Sequence, residues 1–124
     1  MTAPNIVNVA NITGVTTFVS GISTTTASVI VSNAAASNQV YKLNTLMAAN
    51  TTGSNATITV KIFNAAAGAG TSVSIASTIS VPSGSTLAVL GKDTPLYLEE
   101  NRSVGAIAGT ANAIDIVASY EVIS

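Results

Sequence analysis

The chain has 124 residues, with five acidic and four basic side chains, no cysteine, no histidine and no tryptophan. Charged residues make up 7% of it, against about 25% in an average soluble domain. That composition excludes disulfides, thiolate or imidazole metal ligands and histidine-assisted nucleophiles, and it offers no basic patch for nucleic-acid phosphates.

The length suits one domain, placed at residues 13–124 and preceded by an arm or edge strand at residues 1–12. Residues 5–12 alternate loosely, with Ile6, Val7 and Val9 set among Asn5, Asn8 and Asn11. This predicts a weak strand or an arm lying on a neighbouring subunit, so Asn5, Ile6, Val7, Asn8 and Val9 are candidate interface residues. Gly14 ends the stretch, and residues 15–20 form a short β-branched run. Residues 24–32 (TTTASVIVS) predict a strong strand. Its Val29-Ile30-Val31 centre, apolar on both faces, predicts an inner place in a sheet. Residues 33–38 are a loop, too short to hold a helix in water. Residues 39–50 (QVYKLNTLMAAN) fit two periods. Val40, Leu43, Leu46 and Met47 follow helical spacing; Tyr41, Leu43, Thr45 and Met47 share one strand face. A strand is expected, because the flanking chain is all β.

Residues 56–63 predict a strand with Ile58, Val60 and Ile62 inward and Thr57, Thr59 and Lys61 outward. Residues 64–71 (NAAAGAGT) read as a flexible loop. From residue 72 to 81 the alternation is strict, with Val73, Ile75, Ile79 and Val81 on one parity. Pro82-Ser83-Gly84 reads as a tight turn into a strand at 85–90, which predicts a hairpin. Leu96-Tyr97-Leu98 is a short strand and residues 99–102 a charged turn. Residues 103–109 are a thin strand of Val104, Ala106 and Ala108, with Ile107 opposite. Residues 113–123 close the chain, with Ile114, Ile116, Ala118, Tyr120 and Val122 on one face. About eight to ten short strands with turn signals between them indicate an all-β fold. The expected architecture is a single β-sandwich, jelly-roll-like, of antiparallel strands.

The carboxylates are Asp93, Glu99, Glu100, Asp115 and Glu121. Asp93, Glu99 and Glu100 are near in sequence, but no loop has the ligand spacing of a calcium site, and a solvated turn is expected. Nothing marks the apolar cleft that a glycosidase pair requires. Serine and threonine make up roughly a quarter of the chain. A nucleophilic serine needs an adjacent base, and Lys42, Lys61 and Lys92 stand in no Ser-x-x-Lys pattern. Gly68-Ala69-Gly70 lacks the lysine and following helix of a phosphate loop. No catalytic residue, metal site or cofactor is assigned, and the chain reads as a non-enzyme. Arg102, the single arginine, either pairs with Glu99 or Glu100 or makes an intermolecular contact. Tyr41, Tyr97 and Tyr120 are core residues with a wet tip or interface anchors. Arg102 and Tyr97 therefore join the candidate interface set.

A surface of small uncharged polar groups is unusual for a free monomer, which keeps itself apart by charge. It fits a packed assembly, or salty surroundings that screen charge anyway. The start MTAPNIVNVANITG lacks the basic region and apolar core of a secretory signal. No apolar run approaches the roughly 20 residues that span a bilayer. Synthesis in a cytoplasm, with no membrane partner, is expected.

The run TISVPSGSTLAVLGKDTPLYLEENRSV, followed by IDIVASYEVIS, resembles small virion structural proteins of tailed bacteriophages of marine bacteria, cyanophages among them. The matching pieces are Val81-Pro82, Lys92-Asp93-Thr94-Pro95, Tyr97-Leu98-Glu99-Glu100 and Ser119-Tyr120-Glu121, within residues 39–124. Relatives often carry Gly-Asp after the two glutamates, where Asn101-Arg102 stand here. The resemblance implies a non-enzymatic virion protein, a capsid decoration or cement protein packed on the major capsid protein or other virion proteins, with self-association. A neck or tail protein is the alternative within the virion. A carbohydrate- or receptor-binding module is the alternative of another class. Sugar sites use exposed aromatic rings, and this chain has three tyrosines and two phenylalanines.

Overall fold

A computed structural model describes residues 9–124 as two antiparallel sheets packed face to face. The strands are β1 (Ile12–Val19), β2 (Ser28–Asn33), β3 (Val40–Asn50), β4 (Ala56–Phe63), β5 (Ser72–Val81), β6 (Thr86–Leu90), β7 (Leu96–Leu98), β8 (Arg102–Ala108) and β9 (Ile114–Ile123). The first sheet runs β1-β9-β3-β6, with β7 also paired to β3; the second runs β2-β8-β4-β5. These two orders make a jelly roll, with β7 as an added strand. The all-β sandwich expected from the sequence is thus the observed fold.

Alternation builds the core. Leu43, Leu46, Ala48, Ile116 and Ala118 of the first sheet and Ile58, Val60, Val104, Ala106 and Ala108 of the second belong to one buried cluster. Each larger aliphatic side chain there stabilises by about 1.5–3 kcal/mol through removal from water. Two buried asparagines tie the sheets together at their rims. Asn50 of β3 donates to Val81 O at the end of β5 (2.9 Å), and Asn33 of β2 donates to Leu98 O of β7 (3.1 Å).

β8 is buried on both faces, because residues 64–71 fold over its outside. Ser103 Oγ donates to Ala65 O (2.7 Å) and accepts from Gly68 N–H (2.8 Å), while Ala67 N–H reaches Ser32 Oγ (2.9 Å). Phe63 closes over Gly105, where a Cβ would lie 3.2 Å from the ring and 3.0 Å from Ser28 O. The stretch expected to be a flexible loop is therefore a pinned cover.

Several local expectations are corrected, each by a long-range contact. Residues 72–81 and 85–90 do not form a hairpin: β5 pairs with β4 in one sheet and β6 with β3 in the other. The turn at Pro82-Ser83-Gly84 crosses between sheets, and the real hairpin is β4–β5. The strict alternation of β5 is not a buried face either. Ser77 and Thr78 together oppose Thr59, and Ile75 opposes nothing. Each bulge shifts the parity. Thr78 takes a left-handed φ of 50°, with its N–H on Thr59 Oγ1 at 2.9 Å. The two shifts cancel, so Ile79 still lies opposite Ile58 and Val73 opposite Ile62. At the sheet edge Val73, Ile75 and Ile79 are nonetheless exposed and only Val81 is buried.

β2 is an edge strand, not an inner one. Ile30 and Val31 are both buried because a register shift lies between Val29 and Val31. In β3 a shift between Leu43 and Thr45 turns Leu43 and Leu46 both inward and leaves Met47 exposed. The helix-like spacing of Leu43 and Leu46 is thus a bulge, not a helix. Gly14 does not end a strand; it lies inside β1, opposite Glu121.

Candidate interaction surface

The outer face of the first sheet carries the most continuous apolar surface. β9 pairs with β1 on one side and β3 on the other, and β3 pairs with β6. The registers set Phe18 opposite Val117, Val117 opposite Met47, and Met47 opposite Ala88. All four are exposed, Phe18 most of all at 76%. One step along the strands, Thr16, Ser119 and Thr45 form a polar row. Beyond it, Gly14, Glu121, Lys42 and Tyr97 line up, and then Ile12, Ile123 and Val40. The face is therefore banded, with an exposed apolar row near one end, polar groups between, and at the other end a row in which Ile12 is exposed while Ile123 and Val40 are buried.

The candidate interface residues are scattered. Asn5, Ile6, Val7 and Asn8 lie outside the described residues; Val9 is partly exposed just before β1. The proposed arm at residues 1–12 meets the domain at its C-terminal end. The N–H groups of Ala10 and Asn11 both donate to Ser124 O (2.9 Å each), and Ile12 already belongs to β1. Tyr97 is 48% exposed and sits on the banded face. Tyr41 and Tyr120 are instead stacked at 5.2 Å between ring centroids, with Tyr120 buried. Burial, and secondarily Tyr41, raises the Tyr120 phenol above its ordinary range, while a hydrogen bond with Thr17 lowers it.

Arg102 does not pair with Glu99 or Glu100. Its Nη1 donates to Asn64 O (3.0 Å) and Asn101 O (3.2 Å), holding the start of the 64–71 cover. The turn at 99–102 is not wholly solvated either. Glu100 is 1% exposed, and neither carboxylate oxygen has a hydrogen-bond partner among the described residues. Among the described residues no three acidic groups gather as a metal site would require. A depression of about 190 Å³, lined by Ile62, Phe63, Asn64, Thr71, Val73 and Arg102, is smaller than the 300–1,000 Å³ typical of ligand pockets.

Sequence reasoning missed the Phe18–Val117–Met47–Ala88 row. Its one local signal was Val117, an apolar residue between Asp115 and Ser119 on the mostly polar parity of the last strand. The row itself exists only through three strand registers.

No protein-family model matches the chain, and no curated protein matches it. Among solved structures it is similar to a subunit of the Bacillus endospore appendages, described as a novel family of disulfide-linked pili. The TM-score is 0.49 and the identity 20%, covering 90% of this chain and 86% of that one. The likeness is one of fold; the present chain has no cysteine.

Proposed function

We propose that this protein is a non-enzymatic structural subunit of a bacteriophage virion, a decoration protein seated on the capsid shell. The observation that carries the reading is the exposed row of Phe18, Val117, Met47 and Ala88 on a regular sheet face of a nearly uncharged protein. Apolar patches of this kind on a folded domain mark protein contacts. Small hydroxyl and methyl groups around the row allow close approach without desolvating charge. The phage assignment draws on the resemblance of residues 39–124. In this reading the banded face packs on the major capsid protein, and the residues that precede the attachment of Ala10 and Asn11 to Ser124 clamp a neighbouring subunit.

Mapping the chain in purified particles by cryo-electron microscopy and quantitative mass spectrometry tests the reading. Hundreds of copies over the shell are expected. A few to dozens of copies at one vertex would move the protein to the neck or tail and overturn the decoration role. Deleting residues 1–8 is expected to lower shell occupancy; undiminished occupancy would reject the clamp.

A further inference from the structure

We infer that two copies of this chain join through their β1 strands, edge to edge and antiparallel, about a two-fold axis at Val15. The inference goes beyond the virion reading and does not rest on it, since it concerns only how one copy meets another.

The starting point is the edge itself. Among the described residues no strand lies on the far side of β1. Sheet edges expose a row of unpaired N–H and C=O groups, and folded proteins blunt them with charge, proline, bulges or shortness. The other edges here are blunted. β5 has its two bulges and the left-handed Thr78. β2 has a register shift, and its Ile30 O accepts from Thr17 Oγ1 at 3.4 Å. β6 and β7 have five and three residues. β1 has eight residues, ITGVTTFV, with no charge, no proline and an unbroken register to β9.

The hydrogen bonds of β1 say which groups face outward. Asn11 and Ser124 exchange both backbone bonds, at 2.9 and 3.0 Å. Asn11 therefore points its N–H and C=O toward β9, and alternation makes Thr13, Val15, Thr17 and Val19 do the same. The backbone groups of Ile12, Gly14, Thr16 and Phe18 face the free edge. An antiparallel partner must present its own outward-facing residues to these. When the partner is a second β1, one register pairs all four: Ile12 with Phe18, Gly14 with Thr16, and the reverse, with Val15 facing its own copy. A shift one way sets Phe18 against Ala10, whose N–H is already held by Ser124 O. A shift the other way leaves Ile12 against Ser20, which lies beyond the end of β1.

Side chains agree with that register. Ile12 and Phe18, 57% and 76% exposed, are the two large apolar groups on the outer face of β1. They stand symmetrically about Val15, so each would cover the other's mate twice. The exposed Phe18–Val117–Met47–Ala88 row of one copy would then run on to the exposed Ile12 of the next. No like charges meet, because β1 has none.

Sedimentation and light scattering on the full chain are expected to show a dimer. Thr16→Pro removes an outward N–H while leaving the β9 ladder intact, and Phe18→Lys sets a charge against Ile12. Each is expected to weaken self-association at least tenfold, with an unchanged far-ultraviolet spectrum. Register is read separately, using the absence of native cysteine. Val15→Cys is expected to form a disulfide-linked dimer under mild oxidation, since facing residues of an antiparallel pair lie within disulfide reach. Thr13→Cys is not, because its two copies would sit roughly 13 Å apart along the strands. A full chain that stays monomeric at millimolar concentration overturns the inference. If β1 amides facing outward are nonetheless protected from exchange in that monomer, another part of the same chain covers the edge. Equal crosslinking of the two cysteine variants also overturns it.

Discussion

Asn50 and Val81 lie 31 residues apart, yet the Asn50 amide donates to Val81 O at 2.9 Å from within the buried rim of the sandwich. The same amide nitrogen donates to Ser54 O (2.7 Å), and its oxygen accepts from Thr52 N–H (2.9 Å) and Thr52 Oγ1 (2.8 Å). One side chain thus closes the β3–β4 turn and fastens it to the other sheet. Removing it strands several polar groups at once, and each buried orphan costs about 1–3 kcal/mol. Asn50→Ala is expected to lose about 2–4 kcal/mol, measured by chemical denaturation with the slope unchanged.

Glu100 has the opposite balance. A carboxyl group that is 1% exposed, with neither oxygen partnered among the described residues, is a net cost to folding. Replacing buried charge by an apolar group of similar volume commonly stabilises by about 1–4 kcal/mol. Glu100→Met is expected to raise the thermal midpoint, and Glu100→Gln to raise it less, because an amide there still lacks partners. A lowered midpoint in both variants would mean that the carboxylate has a partner in solution.

Tyr120 sets an alkaline limit. Its phenol is raised in the folded protein, by burial first and by Tyr41 second. A raised value means the folded state favours the neutral ring. That contribution is complete below the unfolded value of about 10 and is lost as pH climbs through the folded value. The thermal midpoint is expected to fall above pH ~10, and Tyr120→Phe to flatten that fall. Absorbance titration of the protein against Tyr120→Phe should assign Tyr120 an ionisation above its ordinary value.

The banded outer face separates folding from assembly. Phe18, Met47 and Val117 are exposed, so Phe18→Ser, Met47→Thr and Val117→Thr are each expected to change stability by less than about 0.5 kcal/mol. The triple variant is expected to lose most of its occupancy on particles in a rebinding assay. Full occupancy would place the contact elsewhere.

Ser103 tests the cover over β8. Its hydroxyl holds both Ala65 O and Gly68 N–H. Ser103→Ala is expected to cost about 1–2 kcal/mol and to speed amide exchange at residues 66–71, with the rest of the second sheet still protected.

Strands that alternate and lie between two neighbours were legible from their residues alone. β4 and β9 have the bounds or faces that period-2 patterning assigns, because an inner strand has its side-chain direction enforced from both sides. β5 was misread for the converse reason. An edge strand is paired on one side only, so bulges opposite Thr59 and at Ile75 cost little, and even the residues of its inward parity, Val73 and Ile79, stay exposed. The β3 bulge likewise left Leu43 and Leu46 three apart and gave a strand the look of a helix.

Composition and alternation by themselves determined an all-β sandwich with few charges and no cysteine or histidine, since these depend on residue type and on a two-residue repeat. Tertiary structure alone decided which strands are partners, which edges are bare, that Glu100 is buried, and that Phe18, Val117, Met47 and Ala88 stand in a row. Those facts depend on registers between residues as far apart as Ile12 and Ile123, and pairing at that distance leaves no trace in local sequence.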